Sequence, residues 1–497
     1  MAVLGHEDDH DPLLSSVSSS PICTLPEPEA RGSWLWILTL SAGISGLLFG
    51  YDTASISSAL LYLAPSLSTP ANPVTTWDKS LITSATSFGA LFGGLVAGVC
   101  ADRWGRRAVI WIADALFIIG ALWQAWATTV TVMVAGRIIV GVGVGVGSLI
   151  VPLYISELAP ASHRGRLVVI SVLCITVGQL VAYLVGLLLG ERWRWVLGLG
   201  ALPAAIQAAV MFLMPETPRW QLLRGRRSAA AETLSRVYGT SEDSKISSLL
   251  DEIETGIPTG PAPPLLSTLK TLIQVPGNRR ALIIACYLQF LQQACGFNSL
   301  MYFSATIFAM IGFHNPTAVA MVVAGTNALF TCFAFHLIDR IGRRRMLLWS
   351  LAGMAMGLML CSLGFLGLPD IVTTRSAEET PLLPAVTVVV AIILFVSFYA
   401  TGLGAIPWLC QSEFFPMAVR GVGTGAATAT NWTWNLIVAA TFLGILERLG
   451  GSWAFAGYSA VCLLGWILSW MTYPETGGLA MEEIEGVLRD GWGVKHT

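Results

Sequence analysis

Two ionisable residues of opposite charge, Asp52 and Arg137, lie deep inside apolar stretches of this sequence, and Asp114 lies in a third stretch. A charge at the centre of a membrane costs at least about 2.5–3.5 kcal/mol, so such residues are usually functional and paired. Arginine stays charged in proteins, so Arg137 needs a counter-charge, and Asp52 is the natural candidate. Asp114 lies nearer to a cluster of arginines, and we expect it to be their structural partner.

A buried pair of this kind can move protons. Arg137 favours the charged form of Asp52, whereas burial opposes it. If the surroundings of the pair open differently in two states of the protein, the proton affinity of Asp52 changes between them, which supplies proton coupling. The alternative is a static pair that only holds helices together.

Uncharged amides offer a second kind of chemistry. Gln289, Gln292 and Gln293 are spaced i, i+3 and i+4, which places them on one face of a helix. Asn298 leaves that face in an ideal helix, but Gly296 offers a place for the helix to unwind and turn Asn298 inward. A ring of hydroxyl groups requires neutral donors and acceptors, so this face is a candidate site for a sugar-like ligand. Buried amides can instead bind neighbouring helices, which we expect of Gln289.

Two later segments add candidates for the same site. The stretch 402–407 contains two glycines and a proline, which predict a broken helix. Trp408 follows it and can stack against the apolar face of a sugar ring. Asn431 and Asn435 are spaced i, i+4 and share a helix face, and Trp432 adjoins Asn431.

The composition indicates the medium in which these residues lie. Of the 497 residues, 54% are hydrophobic and only 12% are charged, and the mean hydropathy is +0.69. Soluble domains carry about 25% charged residues, so lipid must be the solvent for most of this surface. About 20 apolar residues span a bilayer, and the stretches that qualify are 34–62, 80–101, 108–128, 131–155, 166–190, 194–214, 281–311, 317–338, 346–367, 383–410, 421–446 and 452–473.

Lysine and arginine concentrate in the loops that follow the even-numbered spans, and such loops are usually cytoplasmic. Both termini and the long polar loop in the middle are therefore predicted to be cytoplasmic. The predicted division is a disordered N-terminal tail, a six-span bundle, a linker with short helices, a second six-span bundle and a C-terminal tail, with bounds 1–33, 34–214, 215–280, 281–473 and 474–497.

The two halves repeat each other. The segment 102–107 recurs as 339–344 with the pattern DRxGRR, and Pro-Glu-Thr occurs at 215–217 and again at 474–476. Repeated six-helix units around a central cavity are an architecture of transporters that alternate their access. Charges at the cytoplasmic helix ends could close one side of such a cavity, although the arginines could instead only fix orientation. The predicted gate consists of Asp102, Arg103, Arg106, Glu157 and Arg164 with their repeats Asp339, Arg340, Arg343, Glu413 and Arg420.

These motifs, in this order, resemble the sugar porter family of the major facilitator superfamily from about Trp34 to Gly477. The resemblance covers the DRxGRR and Pro-Glu-Thr repeats and also 50–53 (GYDT), 152–157 (PLYISE) and 292–298. It implies twelve transmembrane helices in two pseudo-symmetric six-helix bundles, an all-α membrane fold. It also assigns Gln292, Gln293 and Asn298 to sugar hydroxyls, which Asn327 joins, and the family places a tryptophan at the position of Trp408. Together with Asn431 and Trp432 of the eleventh span, these are the predicted substrate-binding residues.

Within that family the sequence looks most like fungal proton-coupled myo-inositol transporters, on the strength of 298–304, 406–408 and 427–432. It departs from many members at Val172, where a hydroxyl-binding glutamine is often found, and this puts hexose binding in doubt. The aspartate at position 52 favours symport, since facilitative relatives carry a neutral amide there.

The expected function is therefore proton-coupled symport of a sugar-like polyol, with myo-inositol favoured. The alternatives are a facilitative or proton-coupled hexose transporter and a nutrient sensor that no longer transports. The sequence carries neither a catalytic Ser/His/Asp set nor a cysteine pattern typical of metal or disulfides, so we expect no enzyme, cofactor, metal or nucleic-acid partner. We expect a monomer in the plasma membrane, with endosomal or vacuolar membranes as the alternative.

Overall fold

The computed structural model describes residues 33–70, 72–158, 164–239, 242–255, 265–368, 381–416, 418–477, 479 and 481–494. All regular secondary structure in these residues is helical, as the sequence predicts. Nearly all of the predicted N-terminal tail, residues 1–32, lies outside the described residues.

Seven helices precede the polar loop in the middle of the chain. They are α1 (Ser33–Leu67), α2 (Thr76–Trp104), α3 (Arg106–Ala125), α4 (Val130–Leu158), α5 (Arg164–Leu189), α6 (Trp193–Gly198) and α7 (Ala201–Met211). The loop itself forms four short helices, which are α8 (Pro218–Leu223), α9 (Arg227–Tyr238), α10 (Asp243–Thr255) and α11 (Leu265–Gln274).

Eight helices follow the loop. They are α12 (Pro276–Ala294), α13 (Phe297–Ile311), α14 (Pro316–Ile341), α15 (Arg343–Leu366), α16 (Leu382–Thr401), α17 (Ile406–Glu413), α18 (Arg420–Thr472) and α19 (Met481–Asp490). The last lies in the predicted C-terminal tail and is held against α12, where Arg280 donates to the carbonyls of Leu488 and Arg489 at 2.8 Å each. The predicted five-part division of the chain stays a prediction.

The number of membrane crossings follows from helix length. Eleven helical segments of the described residues are long and apolar enough to span a membrane. One of them, α18, has 53 residues, and at 1.5 Å per residue it would be about 80 Å long, far more than a bilayer core of about 30 Å. It is interrupted at Gly450, where φ is 78° and ψ is 163°. Two crossings within α18 raise the total to the predicted twelve.

Close packing of α4 on α2 determines where the charged residue of α4 lies. A Cβ atom added at Gly141 would lie 2.2 Å from the carbonyl oxygen of Thr86, and one at Gly145 would lie 2.1 Å from that of Ala90. Only glycine allows this approach, a pattern common between membrane helices. Arg137 lies one turn before Gly141 and is therefore completely buried at the same interface.

Two predicted helix breaks occur, and both adjoin the candidate ligand site. Gly296 separates α12 from α13 with φ of 83°, a left-handed conformation that glycine adopts without strain. The second break covers 402–405 between α16 and α17, and Pro407 lies in the first turn of α17. Such breaks leave backbone carbonyls available to side chains, which matters for the site described next.

Candidate functional site

A central cavity with an empty volume of about 1130 Å³, including the solvent at its mouth, lies between α1, α3, α4 and α5 on one side and α12, α13, α14, α16, α17 and α18 on the other. Six of the seven predicted substrate-binding residues line it, namely Gln292, Gln293, Asn298, Asn327, Trp408 and Asn431. On α4 and α5 its lining includes Val151, Pro152 and Ser171, near the helix ends at Leu158 and Arg164. The cavity therefore extends toward the ends that carry the arginine-rich loops.

Gln292 is fixed in the cavity wall by three hydrogen bonds. Its Nε2 donates to the carbonyls of Leu403 and Gly404 at 3.1 and 2.9 Å, which the break after α16 has released from helical bonding. Its Oε1 accepts from Asn431 Nδ2 at 2.9 Å. Asn431 Nδ2 also donates to Gln289 Oε1 at 2.7 Å, and Gln289 Nε2 donates to Gln411 Oε1 at 2.9 Å. Gln289 thus joins helices, as expected, and does not line the cavity.

A second group of amides surrounds Gln293. Its Oε1 accepts from Asn298 Nδ2 at 2.8 Å and from Asn435 Nδ2 at 3.0 Å. Since an amide oxygen has two lone pairs, these bonds saturate it and leave the Gln293 amino group for a ligand. The turn at Gly296 brings Asn298 to this position.

One amide of the cavity was missed in the sequence. Gln179 on α5 lines the cavity, and its Oε1 accepts from Asn327 Nδ2 at 2.9 Å. Val172, Thr176 and Gln179 are spaced i, i+4 and i+7 and all line the cavity, so helical spacing from Val172 could have found it. The apolar Val172 is thus followed, two turns later, by an amide on the same face.

Aromatic rings complete the wall. Phe297 and Tyr399 stack with ring centroids 3.6 Å apart and both line the cavity, as does Trp408. Trp432 is placed elsewhere. It is 1% exposed, packs edge to face against Phe49 at 5.6 Å, and does not line the cavity. Neighbouring residues on a helix point about 100° apart, so Trp432 turns away from the wall that Asn431 faces.

The charged pair lies outside this cavity. Arg137 Nη1 donates to Asp52 Oδ1 at 2.5 Å, and Arg137 Nε donates to the Ile82 carbonyl at 3.3 Å. The Arg137 side chain is 0% exposed and that of Asp52 is 10% exposed. Asp52 instead faces a separate small pocket that Tyr51, Ser55 and Gln124 also line. The predicted pairing is confirmed.

Asp114 does not behave as expected. It is 1% exposed, and neither of its carboxylate oxygens has a hydrogen-bond partner among the described residues. The expectation that it partners the nearby arginines is wrong, because Arg106 is engaged by Asp102 and Glu157 and Arg107 donates to the Phe212 carbonyl.

Three of the five predicted gate residues of the first repeat meet at the start of α3. Arg106 pairs with Glu157 on α4 at 2.8 Å and with Asp102 at 3.3 Å. Arg103 is exposed, and its carbonyl accepts from Arg224. The side chain of Arg164 lies outside the described residues. The pair Arg106–Glu157 therefore joins helices within one repeat.

The second repeat contains the corresponding arginine–glutamate pair at a longer distance. Arg343 pairs with Glu413 on α17 at 3.4 Å. Arg340 is exposed, and Arg420 Nε donates to the Phe415 carbonyl at 3.1 Å. The side chain of Asp339 lies outside the described residues.

Two glutamates of the repeated Pro-Glu-Thr motif join these clusters, a role that the sequence did not reveal. Glu216 accepts from the backbone N–H groups of Arg106 and Arg107 at 3.0 and 3.1 Å. Glu475 accepts from those of Arg343 and Arg344 at 2.9 and 3.1 Å. A carboxylate at a helix N-terminus satisfies free N–H groups and the helix dipole. Burial raises the pKa of Glu216, and the N–H donors oppose that rise.

Comparisons with known proteins match this chain to a family of transporters. The family model described as "Sugar (and other) transporter" matches residues 38–488. The chain is 45% identical over 473 residues to myo-inositol transporter 1 of Cryptococcus neoformans, covering 93% of this chain and 83% of that protein. It is 44% identical over 475 residues to myo-inositol transporter 1 of Saccharomyces cerevisiae, covering 93% and 80%.

Two solved structures are also similar. The partially occluded inward-open conformation of the xylose transporter XylE from E. coli matches with a TM-score of 0.76 at 26% identity, covering 90% of this chain and 100% of that one. The major facilitator superfamily proton:xylose symporter XylE bound to 6-bromo-6-deoxy-D-glucose matches with a TM-score of 0.74 at 26% identity, covering 92% and 99%.

Proposed function

We propose a substrate and an energy source for this chain, which belongs to the Sugar (and other) transporter family: it carries myo-inositol across a membrane together with protons. The chain is a multi-pass membrane protein with the major facilitator fold, and it is a transporter and not an enzyme. The substrate is proposed because relatives at 45% and 44% identity are myo-inositol transporters.

The observation that carries the proposal is the chemistry of the cavity wall. All of its lining residues among the part of the chain that the structure describes are uncharged, and they include the amides of Gln179, Gln292, Gln293, Asn298, Asn327 and Asn431. In a neutral ring of hydroxyls, every hydroxyl is both a hydrogen-bond donor and an acceptor. A carboxamide also offers both, through its amino group and its oxygen. A charged solute would need a counter-charge in such a cavity. Trp408, Phe297 and Tyr399 offer apolar faces to the ring.

Proton coupling is proposed for the Asp52–Arg137 pair. The pair is buried and separate from the substrate cavity, so one proton and one polyol can be bound at the same time. A buried carboxylate that is held ionised by one arginine changes its proton affinity whenever that contact or its hydration changes. Alternating access would supply such a change.

The arginine-rich clusters, formed by the predicted gate residues with Glu216 and Glu475, are proposed to close and open the cytoplasmic side. The ion pairs Arg106–Glu157 and Arg343–Glu413 support this. The excess of arginine and lysine in these loops supports a cytoplasmic location for them and for both termini. We further propose that the protein acts as a monomer in the plasma membrane.

The test is uptake into proteoliposomes with an imposed proton gradient, using labelled myo-inositol, glucose and xylose, each with and without a protonophore. We expect myo-inositol to accumulate above its equilibrium level, and the protonophore to abolish the excess. Glucose entering far faster than myo-inositol would refute the substrate. Uptake of myo-inositol that reaches equilibrium but never exceeds it would refute proton coupling, and no uptake of any solute would favour a sensor.

A further inference from the structure

The last helix of the linker, α11, presents apolar side chains that no described part of the protein covers. Leu266 is 79% exposed and Ile273 is 54% exposed. Exposed apolar patches on a protein usually mark a surface that binds a partner or a membrane. The transport scheme above assigns no role to this helix.

The residues of α11 divide into three faces at about 100° per residue. Thr268 and Leu272 are spaced i, i+4 and are buried, so this face packs on the protein. Leu266, Leu269 and Ile273 are spaced i, i+3 and i+7 and form an apolar face beside the buried one. The third face is polar and exposed, and it consists of Ser267, Lys270, Thr271 and Gln274. The helix is therefore amphipathic, as are helices that lie in a membrane surface.

A proline turns α11 away from the span that follows it. Only Val275 separates α11 from α12, and Pro276 is the first residue of α12. The residue before a proline is disfavoured in the helical region, and Val275 is accordingly extended, with φ of −73° and ψ of 119°. Helix α11 is therefore not a continuation of the membrane-spanning α12. It lies at the end of that span and packs against α12 and α18.

The exposed side chains of α12 indicate where the bilayer surface lies. Arg279 and Ile283 are both exposed and lie one turn apart on this helix. An exposed isoleucine within a span faces hydrocarbon, whereas an arginine near the end of a span extends its charge to the headgroups. The boundary between hydrocarbon and headgroups is therefore close to the start of α12, at the level of its junction with α11.

The charges at this junction are all positive. The segment 265–280 contains Lys270, Arg279 and Arg280 and has no aspartate or glutamate. Arg280 donates to two backbone carbonyls of α19, whereas Lys270 and Arg279 are exposed. Basic residues next to a span are attracted to the anionic lipids of the cytoplasmic leaflet, so the junction matches an anionic surface.

We propose that α11 lies in the surface of the bilayer and binds anionic phospholipid. Leu266, Leu269 and Ile273 lie in its apolar boundary region, and Lys270 and Arg279 contact the headgroups. The bilayer then holds one end of the linker that joins the two duplicated regions.

Lipid is the occupant of this face because of how α11 is connected. A single residue ties the helix to a span, so it stays at the membrane in every state of the protein. A protein partner would lose translational and rotational freedom on binding, whereas the bilayer is already present. The assignment does not depend on which solute the cavity binds.

Depth in the membrane tests the apolar contact. A fluorescent amino acid replaces Leu266, or Thr271 on the polar face as the matched control, in the full-length protein in lipid nanodiscs. Phospholipids brominated on their acyl chains quench fluorophores within the bilayer, and iodide quenches those that water reaches. We expect brominated lipid to remove most of the fluorescence at position 266 and little at position 271, and iodide to do the reverse.

Lipid composition tests the headgroup contact. The fluorophore at position 266 is compared in phosphatidylcholine alone and in phosphatidylcholine mixed with phosphatidylserine. We expect phosphatidylserine to shift its emission to shorter wavelength, and high salt to reverse the shift because salt screens surface charge. The double substitution Lys270→Gln and Arg279→Gln should abolish the shift. Lys245→Gln should retain it, because Lys245 is an exposed linker lysine that pairs with Glu242 at 2.9 Å.

The outcomes separate lipid from the other possible occupants. Quenching by iodide alone at both positions means that water covers α11, which overturns the proposal. Protection of position 266 from both quenchers means that protein covers it, either another segment of this chain or a second copy, and this also overturns the proposal. Quenching by brominated lipid without a shift in phosphatidylserine, or a shift that survives the double substitution, overturns the headgroup contact. Transport is not measured, so none of these outcomes bears on myo-inositol symport.

Discussion

The two duplicated regions of this protein divide the chemistry unequally. The helices from α1 to α7 hold the buried ion pairs Asp52–Arg137 and Arg106–Glu157. The helices from α12 to α18 supply most of the amides of the cavity, and these are neutral. Duplication therefore preserved the backbone arrangement and let the polar residues diverge. A region that binds a proton must hold charge, whereas a region that binds hydroxyls must avoid it.

Substitutions in the two regions should therefore differ in their free-energy cost. Removing one member of a buried ion pair leaves a charge without a partner, which costs about 3–5 kcal/mol. Removing one neutral hydrogen bond costs about 0.5–1.5 kcal/mol. We therefore expect the largest effects in the first region and graded effects in the second.

The largest expected effect is that of Asp52→Asn. The amide keeps the size of the side chain but cannot take up a proton, so accumulation of myo-inositol above equilibrium should be lost completely. Exchange of labelled for unlabelled myo-inositol across the membrane should persist, because exchange needs no net proton movement. Both are measured in the same proteoliposomes.

Asp114→Asn is the matched control, since Asp114 is also a buried aspartate of the first region and forms no ion pair with any residue that the structure describes. It should retain uphill accumulation. Accumulation by Asp52→Asn at the wild-type level would show that the proton site is elsewhere, and loss in Asp114→Asn alone would identify that other site.

The second effect tests the neutral region. Gln292→Ala removes an amide that lines the cavity and is held by Leu403, Gly404 and Asn431. Affinity for myo-inositol should fall about 5- to 30-fold, which corresponds to about 1–2 kcal/mol, while uphill accumulation at saturating substrate persists. Binding and accumulation assays on one preparation separate the two results.

Gln289→Ala is the control for that substitution, because Gln289 lies on the same helix but does not line the cavity, and it bonds Gln411 and, behind the wall, Asn431. It should lower thermal stability more than affinity. Equal affinity for Gln292→Ala and the wild type would place the polyol on another wall.

Much of this site was predictable from the sequence. An aspartate and an arginine inside apolar stretches are rare enough to indicate Asp52 and Arg137 directly, and their pairing followed from charge alone. The amides of α12 followed from helical spacing. The broken helices followed from glycine and proline, whose backbone properties are local. Each of these predictions depended on residues close together in the sequence or on the large cost of burying a charge in an apolar stretch.

What could not be predicted depends on distant backbone. Glu216 bonds N–H groups of Arg106 and Arg107, 110 and 109 residues earlier, so its repeat was visible but its partner was not. Trp432 was selected because it adjoins Asn431, although adjacent helical residues point in different directions. Gln179 was not predicted, because the only residue of its helical face that was considered was the apolar Val172.

The third prediction tests whether polyol recognition is confined to the second region. Gln179 belongs to the first region, yet it lines the cavity and accepts from Asn327. If the first region also contacts the polyol, Gln179→Ala should lower affinity about threefold to tenfold, the effect of one neutral hydrogen bond. Thr176→Val on the same face, one turn earlier, should have a smaller effect, since Thr176 donates to its own helix. Binding unchanged in Gln179→Ala would confine recognition to the second region.

The last prediction concerns stability and not transport, and it compares the repeated arginines directly. Arg106 and Glu157 are 5% and 6% exposed and 2.8 Å apart, whereas Arg343 and Glu413 are 13% and 19% exposed and 3.4 Å apart. Arg106→Gln should therefore destabilise the protein by about 3 kcal/mol, as expected for a broken buried pair, and Arg343→Gln by about 1 kcal/mol, nearer to the value for exposed pairs. Thermal unfolding in detergent ranks the two variants. Equal melting temperatures would mean that the two ion pairs contribute equally to stability despite their different burial. The charge asymmetry between the regions would then be limited to Asp52 and Arg137.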